Sequence, residues 1–71
     1  MNDNPSEAEA ELLTRLAGLK QEHADLDAAV LALEAAPGAD QLRVMRMKKR
    51  KLAVRDLISA LEDQLTPDLI A

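Results

Sequence analysis

Two runs of apolar positions organise the chain. In the first, Leu12, Leu16, Leu19, His23, Leu26, Val30 and Leu33 recur at alternating spacings of four and three residues. That is a heptad seam with one polar member. In the second, Val44, Met47, Lys51, Val54, Ile58, Leu61 and Leu65 alternate three and four, again with one polar member. The pattern predicts two helices, each presenting a stripe to the other. Further apolar positions lie off the seams. Leu13 and Leu31 flank the first; Leu42, Met45 and Leu52 form a shorter second stripe beside the other, with Leu57 as an additional apolar position. A lone hairpin covers one face of each helix, so these side chains predict a further neighbour.

Local signals place the helix ends. Asn4-Pro5-Ser6 offers two starts: Asn4 as cap with Pro5 in the first helical position, or Ser6 as cap with Glu9 closing a capping box. Pro37 disfavours helix at Ala36, Gly38 supplies the turn, and Asp40 caps the second helix. Thr66-Pro67 stops that helix. The expected layout is helix one over about 5–35, a turn at 36–39, helix two over about 40–65 and a tail at 66–71, read as a frayed terminus rather than a docking peptide. So short a connection makes the helices antiparallel neighbours. The fold expected is therefore all-α: a coiled-coil-like, antiparallel two-helix hairpin that dimerises into a four-helix bundle. Gly18 interrupts the first helix at a cost of about 1 kcal/mol relative to Ala. It is read either as close approach of another backbone or as simple tolerance.

Composition strengthens the case for association. The chain has 71 residues, no Cys and no Phe, Trp or Tyr. Below roughly 70–80 residues one core seldom supplies more than ~3–5 kcal/mol without disulfides, metal or oligomerisation. Disulfides and thiolate metal sites are excluded, and the side chains that bury the most area are missing. Oligomerisation is the support that remains, and a homodimer is the expected state. The N-terminus lacks the basic start of a signal peptide, and the longest apolar run, Ala28–Leu33, is far short of the ~20 residues that span a bilayer. The expectation is a soluble cytoplasmic protein with no membrane contact, no cofactor and no small-molecule substrate.

Charge is divided between the two helices. The segment 43–56 holds seven of the nine basic residues, whereas residues 1–36 carry eight acids against Arg15 and Lys20. The whole chain is at −4, so any affinity for nucleic acid would be local. Candidate phosphate contacts are Lys48, Lys49, Arg50 and Arg55. Lys48 through Lys51, however, spread their charges round nearly the whole helix at about 100° per residue, unlike the single basic stripe of a groove-reading helix. Folding about Pro37-Gly38 predicts that Asp25 faces Arg50, Asp27 faces Lys48, Glu22 faces Lys51 or Arg55, and Lys20 faces Asp56. Internal pairing plus an interaction surface is favoured over phosphate binding, with an acidic protein partner as the third reading. Leu42, Met45, Leu52 and Leu57 are the candidate interaction surface.

A family resemblance joins these features. Leu19-Lys20-Gln21-Glu22-His23-Ala24-Asp25-Leu26-Asp27, followed by Met47-Lys48-Lys49-Arg50-Lys51-Leu52-Ala53-Val54-Arg55-Asp56-Leu57-Ile58, resembles the YdcH-like family of small bacterial proteins. That family's pattern runs L-K-x-x-H-x-x-L-D, a Gly-containing turn, then L-K-K-x-K-L-x-L-K-D-E-I. Met47, Arg55 and Leu57 depart from it; Leu57 is apolar where the pattern has a charge. The resemblance spans roughly 12–62 and implies an associating helical hairpin with no settled biochemical activity.

Candidate chemistry is sparse. One His, Ser6, Ser59, Thr14, Thr66 and scattered carboxylates suggest no nucleophile–base pair, and a hairpin offers no obvious pocket. His23 and Asp27 have an i,i+4 spacing that can bind metal, but a lone His on a seam is better read as a polar layer fixing register. Lys51 is the matching layer of helix two, its stem along the seam and its ammonium toward Glu22 or water. The function expected is a non-catalytic interaction or regulatory module acting on itself or on another protein. The alternative is weak, sequence-nonspecific nucleic-acid binding through the basic run 43–55.

Overall fold

Why the chain folds as it does is clearest at its caps. In the computed structural model, which describes residues 6–65, the Ser6 hydroxyl accepts from the Glu9 amide at 3.1 Å, and the Glu9 carboxylate accepts from the Ser6 amide at 3.4 Å. This closed capping box starts helix α1, Glu7–Ala35. Of the two starts the sequence offers, the structure uses Ser6; Asn4 and Pro5 lie outside the described residues. Ala36, held extended at ψ 138 by the adjoining Pro37, ends the helix. Gly38 takes φ 68, the left-handed region where a Cβ is strained. Asp40 then caps helix α2, Gln41–Leu65, its Oδ1 accepting from the amides of Leu42 at 3.1 Å and Arg43 at 3.2 Å. The tail from Thr66 onward lies outside the described residues.

The helices lie side by side along the heptad seams. All fourteen seam positions are buried or half-buried; outside them, among the described residues, only Glu22, Ala29 and Ala39 are sheltered. Leu16, Val30, Val44, Val54 and Leu61 form the core, with Val54 at 0% exposure. His23 and Lys51 sit half-buried in the seam. Gly18 has nothing within 4 Å of the position its Cβ would occupy, so no backbone within the hairpin uses it for close approach. Among the described residues, no helix is long and apolar enough to cross a membrane.

Candidate functional site

Among the described residues, four ion pairs cross the hairpin and identify its two broad faces. On one, Lys48 Nζ lies 2.7 Å from Glu34, Lys51 Nζ 3.0 Å from Asp27 and Lys20 Nζ 3.3 Å from Glu62. On the other, Arg50 forks Glu22, with Nε donating at 3.0 Å and Nη2 at 3.2 Å to the two carboxylate oxygens. Arg50 is two residues, about 200°, round the helix from Lys48, which is why it serves the opposite face. Lys51 and Glu22 are partly sheltered and the other groups are about half exposed, so the exposed pairs are each worth ~0–1 kcal/mol and set register more than stability.

The partners differ from those that mirroring about Pro37-Gly38 predicts. Arg50 takes Glu22 instead of Asp25, Lys48 takes Glu34 instead of Asp27, Lys51 takes Asp27 instead of Glu22, and Lys20 takes Glu62 instead of Asp56. Long Lys and Arg stems reach about a turn along the neighbouring helix, so heights read from a turn centre do not select one carboxylate. Asp25 instead accepts from Gln21 Nε2 at 3.0 Å within its own helix.

The exposed apolar side chains sort by the same faces. Leu31 is one turn from both Asp27 and Glu34, and Met45 and Leu52 are one turn either side of Lys48. Leu13 precedes Leu31 by eighteen residues, about five turns, and so points the same way. Leu13, Leu31, Met45 and Leu52 therefore share the face marked by the Lys48 and Lys51 pairs, at 46%, 62%, 65% and 54% exposure. Leu57, two turns beyond Arg50, lies on the opposite face, and Leu42 is on the back of α2, away from α1. Of the four candidate interaction residues, the structure thus brings only Met45 and Leu52 together. Leu13 and Leu31 complete their face, and the signal in the sequence is that five-turn spacing. At the open end of the hairpin, Leu13, Leu16, Glu62 and Leu65 line a notch of about 380 Å³.

The candidate phosphate contacts also divide. Lys48 and Arg50 are engaged by Glu34 and Glu22, while Lys49 and Arg55 have no carboxylate at ion-pair distance among the described residues. Arg43 and Arg46, near the turn, are likewise without one. Asp27 is turned to Lys51, so it does not pair with His23. No group of three or more His, Cys, Asp or Glu is placed to hold a metal ion among the described residues.

Fold and surface together define a small all-helical hairpin with one unpartnered apolar face. The chain belongs to the family described as "Protein of unknown function (DUF465)", which matches residues 16–62 and includes the YdcH-like proteins. No curated protein and no solved structure gives a significant match to the chain.

Proposed function

We propose that the chain is a non-catalytic association module of the bacterial cytoplasm, a hairpin that pairs with a second copy to form a four-helix bundle. The observation that carries this reading is the single face holding Leu13, Leu31, Met45 and Leu52, all exposed. Four such side chains at ~1.5–3 kcal/mol each when buried are of the same order as the ~4–15 kcal/mol that association costs. Pairing is therefore expected to be reversible. The test is sedimentation together with thermal melts across a concentration series. A dimer whose melting temperature rises with concentration supports the reading; a fully helical monomer at ten micromolar overturns it.

Phosphate binding has weaker support. Three cations of the basic run are engaged internally, and Arg43, Arg46, Lys49 and Arg55 point to different sides of α2. A mobility assay at low salt would show a shift only under this second reading.

A further inference from the structure

The apolar face also carries information about how the second copy lies on it. Resting on the dimer reading above, we propose that the two hairpins stack with their turns at opposite ends, so that α1 packs antiparallel on α1 of the second copy. Stacking one face on itself by a two-fold axis allows two arrangements. With turns together, α1 lies on α2 of the other copy. With turns opposed, α1 lies on α1 and α2 on α2.

Two independent features choose the second arrangement. The first is charge along the hairpin's length. Once the internal ion pairs are formed, Arg43, Arg46 and Lys49 cluster near the turn without carboxylate partners among the described residues. The open end carries Glu7, Glu11 and Asp63 against Arg15. Turns together would bring six such cations to one end and six such acids to the other. Opposed turns set the more basic end of each copy over the more acidic end of the other, a preference that weakens as salt rises.

The second feature is shape. Leu13 and Leu31 stand symmetrically about residue 22, near the middle of α1. An antiparallel α1 pair centred there sets Leu13 of each copy on Leu31 of the other, twice by symmetry. Leu31 at 62% exposure is then carried to the notch lined by Leu13, Leu16, Glu62 and Leu65. Ala17 and Ala24 lie between the two leucines on the same face and let the backbones approach.

The absence of native cysteine makes the test direct. Leu13→Cys and Leu31→Cys chains are prepared separately, mixed and oxidised. Positions 13 and 31 are ~27 Å apart along one helix. Opposed turns predict a covalent dimer joining the two different variants in the mixture and none from either variant alone. As a second measurement, Leu13→Lys and Leu31→Glu chains should each lose the dimer alone and recover it when mixed, because one Lys–Glu contact and one Leu–Leu contact then form. A wild type that sediments as a dimer, with no mixed disulfide and no recovery on mixing, overturns the opposed arrangement alone. A monomeric wild type overturns this inference and the dimer together.

Discussion

His23 occupies a seam position between Leu19 and Leu26, half-buried, with no hydrogen-bond partner among the described residues. A polar group there forgoes the apolar gain of its neighbours and retains value as a register device. His23→Leu is accordingly expected to raise the melting temperature by several degrees while broadening the distribution of oligomeric states in sedimentation. A lower melting temperature would show that the imidazole makes an interaction worth more than the apolar gain. The two glycines make an opposed pair of expectations. Gly18 lies in mid-helix with open space around it, so Gly18→Ala should stabilise by about 1 kcal/mol in denaturant titration. Gly38 also has open space but sits at φ 68, so Gly38→Ala should destabilise by about 1–2 kcal/mol. Sequence alone left Gly18 open between close approach and tolerance, because nothing in a sequence states what lies beside a helix; the empty surroundings decide for tolerance within the hairpin.

At the scale of the helices, periodicity was the informative signal. Every seam residue, including the polar His23 and Lys51, is sheltered because a 4–3 alternation keeps one stripe on one side of a helix. The caps were equally legible, since Ser6 with Glu9, Asp40, and Pro37 with Gly38 act within one turn of themselves. The ion-pair partners were not legible, because each depends on how far a flexible stem reaches across another helix. Nor was the grouping of the off-seam residues: Met45, Leu52 and Leu57 are close in sequence, yet Leu57 faces the other way. Val54, the most buried side chain, tests the seam most sharply. Val54→Asp would place an unpaired carboxylate between the helices at a cost of several kcal/mol. Most of the far-UV helical signal should vanish at micromolar concentration, and a variant that kept its helicity and melted cooperatively would contradict the packing.

For the molecule as a whole, the two faces of the hairpin make different predictions for changes of the same chemistry. Met45 and Leu52 lie with Leu13 and Leu31, while Leu57 lies with the Arg50–Glu22 pair. All three side chains are exposed in the single hairpin, so replacing them leaves the core of Val30, Val44 and Val54 in place. Met45→Glu combined with Leu52→Glu puts two unpaired charges into the proposed interface on each copy, four in the dimer. Each buried charge costs several kcal/mol, more than the thin surplus of apolar burial over association cost can offset. The double variant should sediment as a monomer, and its melting temperature should fall and no longer depend on concentration. Leu57→Glu, on the opposite face, should leave both the sedimentation and that dependence unchanged. If Leu57→Glu dissociates the dimer while the double variant does not, the association surface is the Arg50–Glu22 face. If the variants act alike, the loss comes from charge or helix propensity in general, and no face-specific contact holds the copies together.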